Sequence, residues 1–206
     1  MIIDAHHHLW AYNDRDYVWM NGAMGRLRRD FLPAHAEEGW VPLVDPGVRH
    51  VLHDEPDELY MLRGDFNRGV SLLKDFGLNY DLLIFERHLP QTIQFVDRHP
   101  NQTFIVDHIA KPRIKDRAFS PWREGMHELA RRANVYCKLS GMVTEADWNA
   151  WTIEGLKPYF EIALSAFGPN RLMFGSDWPV LTLIVEHSPH EQARIRGRTA
   201  IEAYHL

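Results

Sequence analysis

After residue 46 the sequence alternates short apolar runs with segments whose apolar residues recur every three or four positions, and few architectures accept that rhythm. The runs at 47–52, 80–85, 103–108, 134–139 and 171–174 read as strands. Between them lie Phe66, Val70 and Leu73, then Leu89, Ile93 and Val96, then Trp122, Met126 and Leu129, and finally Leu156, Tyr159, Phe160 and Ala163. Each set forms one face of a helix. Strand and helix in alternation imply parallel strands joined by right-handed crossovers, an α/β domain. The runs also end alike, each in a chemically capable residue: His50 and His53, Arg87 and His88, His108 followed by Lys111, Ser140, and Asp177. In parallel α/β folds the ligand site lies at the C-terminal ends of the strands, so residues scattered along the chain are expected to converge.

The first 46 residues depart from the rhythm. One strand is clear at 2–5, followed by a polar and aromatic stretch, a short helical piece near 32–38 and a candidate strand at 40–44. The first strand runs into His6, His7 and His8. Residues i and i+2 of a strand face the same side with backbones ~7 Å apart, so His6 and His8 can share one metal ion. A histidine run after an initiating Met also occurs as a tag remnant, but this one is three long and closes an apolar strand. Near the other end, Asp177 sits at the mouth of the run that begins at Leu172, followed by Trp178 and Pro179. Ser188, Pro189 and Glu191 form a capping-box pattern for a last helix.

At 206 residues, 45% hydrophobic and 25% charged, the chain is expected to form a single domain spanning 1–206. No apolar run approaches the ~20 residues that span a bilayer, and no basic segment followed by an apolar core opens the chain. The lone Cys137 rules out an internal disulfide and suits a reducing compartment, so a cytoplasmic location is expected. A net charge of −5 without a Lys/Arg block argues against nucleic acid as a partner. Seven Trp, with Trp10, Trp19, Trp40 and Trp178 in loop-like segments, suit either the walls of a small-molecule pocket or plugs at the ends of a core.

Six segments in this order, 3–10, 27–33, 48–50, 107–112, 137–141 and 174–179, resemble the amidohydrolase-related family of metal-type TIM barrels, and within it the sugar-lactonase branch. The resemblance implies a (β/α)8 barrel that opens a lactone ring by attack of an activated water. His6, His8, His108 and Asp177 then match metal ligands, with Asp177 and His108 as the catalytic pair and Asp177 as general base and acid. Arg49 and His50 match positions where relatives bind the substrate's hydroxyls or carboxylate; His88, Lys111 and Trp178 are further substrate-binding candidates, and His7 points away from the site. Zinc or manganese suits such nitrogen and oxygen ligands. A metal-independent route, with the histidines donating hydrogen bonds to the carbonyl, stays open. The expected partner is a small-molecule lactone, and a homodimer is left open.

Two other readings stand beside this one: a zinc-dependent non-oxidative decarboxylase of the same superfamily, and an inactive truncated barrel serving as a binding module. The truncation arises because 206 residues fall short of the ~250 typical of the fold. About two βα units of the N-terminal third, between Glu38 and Val48, are missing or not shown, and a smaller shortfall follows Val180. Lys138 and Ser140 either fill the barrel mouth or serve the site. Lys111 could equally be a solvated loop charge. Cys137 reads as a buried core residue, and His35, His99, His127, His187, His190 and His205 read as surface residues.

Overall fold

The structure is a computed structural model that describes residues 2–4, 13–15, 40–42 and 47–175, with 2–4 and 40–42 as backbone only. Seven strands are present among the described residues: β1 (Ile2–Asp4), β2 (Trp40–Pro42), β3 (Gly47–His50), β4 (Asn79–Leu82), β5 (Phe104–Val106), β6 (Val135–Leu139) and β7 (Leu172–Phe174). Four helices separate the last five: α1 (Gly64–Leu73), α2 (Leu89–Asp97), α3 (Trp122–Leu129) and α4 (Ile153–Phe167). The strands form a two-stranded sheet, β1 with β2, and a five-stranded sheet in the order β3-β4-β5-β6-β7, every pairing parallel. β1 lies beside β7, so the seven strands form an arc running from β2 through β1 and β7 to β3. First and last strands side by side are what a (β/α)8 barrel requires. Among the described residues no pairing joins β2 to β3, so the barrel is not closed. The expected strand near residue 40 is present, and among the described residues the opening in the barrel lies between β2 and β3.

The two faces of the five-stranded sheet differ because successive side chains point to opposite sides. On one face Tyr80, Leu82, Phe104, Val106, Val135, Cys137, Leu139, Leu172 and Phe174 join the helix residues Phe95, Trp122, Met126, Leu129 and Phe160 in one apolar core. The other face carries Arg49, Asp81, Ile105, Lys138 and Met173. Helix packing accounts for the first face; the second is the barrel interior and holds charge.

The helices form where the apolar spacing places them, and their ends are marked chemically. Thr152 caps α4 by accepting from the Gly155 N–H at 3.1 Å. Pro90 stands in the first turn of α2, where its missing N–H costs nothing. The turn after α1 ends at Gly77, whose φ of 67° is one that a glycine adopts without strain. His99 corrects the expectation of a surface residue: its Nε2 lies 2.9 Å from Asn67 Oδ1 and its ring meets Phe95 edge-on at 5.1 Å. It follows α2 by two residues, and Asn134 Nδ2 also bonds its carbonyl, so the α2–β5 link folds back over it. The capping-box pattern at 188–191 lies outside the described residues.

Candidate active site

The regular strands stop sooner than the apolar runs do, and the polar residues that close the runs sit in the turns that follow. After β5 the chain enters an unusual turn: His108, Ile109, Ala110 and Lys111 have φ of 53°, 47°, 58° and 47°. Left-handed backbone costs an L-residue roughly 1–2 kcal/mol, so four in succession cost on the order of 4–8 kcal/mol, comparable to a small domain's whole stability. The surroundings offset this. Ile109 and Ala110 are wholly buried in the apolar core. The buried Trp122 of α3 donates its indole N–H to the Ile109 carbonyl at 2.7 Å. Lys111 Nζ reaches Glu145 Oε1 at 2.7 Å, and the Lys111 N–H closes the turn on the His108 carbonyl at 2.9 Å.

His108, buried at 6% exposure, sets its Nδ1 2.9 Å from Ser140 Oγ. The next residue, Gly141, has φ of 63°, and a Cβ built there would stand 2.5 Å from His108 Nδ1 and 2.7 Å from Cγ. The imidazole therefore rests directly on the glycine backbone. The preceding Asp107 has no solvent exposure; Lys138 Nζ lies 3.1 Å from its Oδ1, and Arg49 Nη1 donates to its Oδ2 at 3.0 Å. Lys138, itself 1% exposed, also donates to Asp81 Oδ2. Two cations and two carboxylates thus face one another inside the barrel, directly beneath the His108 turn. Such groups tolerate burial only when paired and hydrogen-bonded.

The remaining candidates separate into two groups. Lys111 and His88 belong with the turn at the strand ends. His88 is buried at the start of α2, its Nδ1 accepts the Phe85 N–H at 3.2 Å, and among the described residues its Nε2 has no hydrogen-bond partner. A ring that accepts at Nδ1 carries its neutral-form proton on Nε2. Burial, then the nearby Arg87 guanidinium, holds the His88 pKa below the ordinary histidine range. Phe85 joins the loops: His53 packs against its ring at 4.6 Å, Arg87 at 4.7 Å and Lys111 Nζ at 5.8 Å. His50 stands apart from them. Its Nε2 lies 2.5 Å from Glu55 Oε1, and its ring stacks on Tyr60 at 5.2 Å and meets Phe66 at 6.1 Å, on the α1 side of the sheet. The register explains this, because Arg49 and His50 are consecutive in β3 and must face opposite sides. His6, His8, Asp177 and Trp178 lie outside the described residues.

Lys138 and Ser140, which the sequence offers either as filler of the barrel mouth or as site residues, both act on the 107–108 segment. Asp81, Asp107 and Trp122 had no assigned part in the site. A single charged residue within each of two otherwise largely apolar strands is the signal for Asp81 and Lys138. Cys137 is fully buried, and burial pushes its thiol pKa far up, away from nucleophilic use.

Among the described residues no group of three or more His, Cys, Asp or Glu could hold a metal ion, and no helix is long and apolar enough to cross a membrane. The arrangement provides a buried, charged barrel floor with His108 in the turn beside it.

The chain is 33% identical to an L-fucono-1,5-lactonase of Burkholderia multivorans, with 99% of this chain and 96% of that protein covered. That alignment runs over 283 positions while this chain has 206 residues, so at least 77 positions, the difference, have no counterpart here. An L-fucono-1,5-lactonase of Burkholderia ambifaria is 29% identical over 88% of this chain and 81% of that protein. A crystal structure of a Burkholderia multivorans amidohydrolase with bound zinc superposes with a TM-score of 0.88 at 32% identity, covering 100% of this chain and 99% of that one. The amidohydrolase family profile matches residues 44–205, and the chain belongs to that family.

Proposed function

We propose that this protein hydrolyses a lactone of a sugar acid. The observation that carries the proposal is the identity to a lactonase over nearly the full chain, and the buried polar floor at the strand ends is consistent with it. Ring opening needs a nucleophilic water, a polarised carbonyl and a proton for the leaving alkoxide. Asp177 takes the proton from the attacking water and returns it to the ring oxygen as the acyl bond breaks. Trp178, next to it in the sequence, is proposed as a substrate-binding residue. Lys111 supplies a donor for the substrate's hydroxyl groups, and the buried His88 supports that side of the site by holding the Phe85 N–H. Arg49 holds Asp107 through one nitrogen and, with its side chain 35% exposed, offers its other N–H groups to the substrate. The packing of His50 against Tyr60 and its link to Glu55 favour a supporting part for it.

A divalent ion fits the donor set of two paired histidines, His108 and an aspartate. His108 meets the requirement in its own geometry, because a metal-binding imidazole is held from behind through its other nitrogen, here by Ser140. His6, His8 and Asp177 are the proposed companions, and zinc is the preferred ion, as the related Burkholderia multivorans structure has zinc bound. When bound, the ion lowers the pKa of a water and polarises the carbonyl.

The test is turnover of a panel of aldonolactones by the purified full chain, with metal analysis of the same sample. Asp177→Asn is expected to reduce kcat by ~100 to 10,000-fold; a kcat within tenfold of the parent rejects Asp177 as the proton carrier. His6→Ala is expected to lower zinc occupancy and rate together. Full activity after exhaustive chelation, verified by elemental analysis, rejects the metal.

A further inference from the structure

We infer that the end of β6 with the two residues that follow it, Lys138 through Gly141, is the positioning device for His108, and that Ser140 fixes its tautomer by accepting the Nδ1–H. The choice of tautomer rests on the proposed function, whereas the positioning contacts stand without it. Three side-chain features of one strand end converge on two consecutive residues of the neighbouring turn. Lys138 Nζ holds Asp107 Oδ1 at 3.1 Å, Ser140 Oγ meets His108 Nδ1 at 2.9 Å, and the bare Cα of Gly141 leaves the space the ring occupies. All three contacts are buried: Lys138 is 1% exposed, Ser140 2% and His108 6%. The alternation of β6 makes this economical, because Lys138 and Ser140 share a face and Leu139, between them, packs in the apolar core on the other.

The direction of the hydrogen bond decides the chemistry of the site. If Nδ1–H donates to Ser140, Nε2 carries the lone pair and can ligate a cation or accept a proton. If instead the serine hydroxyl donates to Nδ1, Nε2–H becomes a donor to a carbonyl. We assign the first arrangement, which leaves Nε2 the lone pair that the proposed function asks of His108. Ser140 is thus a positioning residue acting through His108, and Gly141 its steric complement.

The experiment uses the metal-free full chain with ¹⁵N-labelled histidine at about pH 8, where imidazoles with ordinary pKa are neutral. His108 is assigned by the signal missing in His108→Gln. The expected result is the Nδ1–H tautomer in the parent and loss of that single tautomer in Ser140→Ala. Ser140→Thr, which keeps the hydroxyl, is expected to restore it. Zinc affinity, read by competition with a chromogenic chelator, is expected to fall ~10 to 100-fold in Ser140→Ala, with kcat falling in step on any lactone the parent turns over and KM little moved. An Nε2–H tautomer in the parent overturns the inference, as does an unchanged tautomer in Ser140→Ala. Should Ser140→Ala not fold, the parent's tautomer alone decides. A parent that turns over no lactone but shows the Nδ1–H tautomer counts against the proposed function and leaves the positioning device standing.

Discussion

Replacing Lys138 by Met tests whether the charged floor of the barrel is a single interacting unit. Methionine matches the aliphatic length of the lysine, so little packing is lost and the change isolates the ammonium. In the parent that ammonium faces Asp81 and Asp107, whose side chains are 4% and 0% exposed. Asp107 retains Arg49 at 3.0 Å, whereas Asp81 loses the cation bonded to its Oδ2. Breaking a buried pair by removing one member costs roughly 3–5 kcal/mol, and because Arg49 still serves Asp107 the expected loss is about 3 kcal/mol. Arg49→Met should cost about 1 kcal/mol or less, since its side chain is 35% exposed and water screens the charge. Equilibrium denaturation in guanidinium at pH 7 reads both, the loss appearing as a lower midpoint at unchanged slope. The double variant Lys138→Met with Asp81→Asn should recover at least 1 kcal/mol over the sum of the single changes, because contacting charges are not additive. A loss below about 1 kcal/mol for Lys138→Met, or strict additivity in the double variant, refutes the view that these charges depend on one another.

Gly69 of α1 is exposed with nothing within 4 Å of an added Cβ, so Gly69→Ala should raise stability by roughly 0.5–1 kcal/mol, visible as a higher Tm. Gly141→Ala should lower the Tm markedly, as its Cβ would collide with the His108 ring on a backbone with φ of 63°. The Trp122→Phe variant removes the N–H donated to the Ile109 carbonyl and should cost about 1–2 kcal/mol in the same assay. His88 and His99 both have pKa values held below the ordinary one, chiefly by burial. A histidine that takes up its proton more readily when unfolded stabilises the fold above the unfolded pKa of about 6.5 and loses that contribution as pH falls through the folded value. Stability should therefore decline below about pH 6.5, and more gently in a His99→Gln variant than in the parent.

The strand and helix positions were legible because both periods are written in the apolar residues: α3 buries Trp122, Met126 and Leu129, the set the spacing picked out. Strand ends were less so. The run at 103–108 reads as one strand, yet pairing stops at Val106, because the left-handed turn that follows is set by tertiary partners on β6, α3 and the loop carrying Glu145. No local pattern announces such a turn, since neither Ile109 nor Ala110 favours it. His50 shows the other gap: the residue type suited a site, but alternation in β3 sends it toward Tyr60 and Phe66 once Arg49 is fixed inward. The candidate histidine His108 was identifiable from its motif, whereas its seat on Ser140 and Gly141 needed three dimensions.

The left-handed turn also sets a limit on how this protein can be improved. Glycine at any of positions 108–111 would relax the local backbone, and a procedure that scores conformation alone would choose it at all four. Each such exchange would remove something the turn exists to display or to anchor: the imidazole at one end, the ammonium paired with Glu145 at the other, and between them two buried apolar side chains that fasten it to the core. Strain here is the counterpart of side-chain content. A sequence optimised for thermal endurance at these four positions would be expected to gain robustness at the expense of the chemistry above the barrel floor.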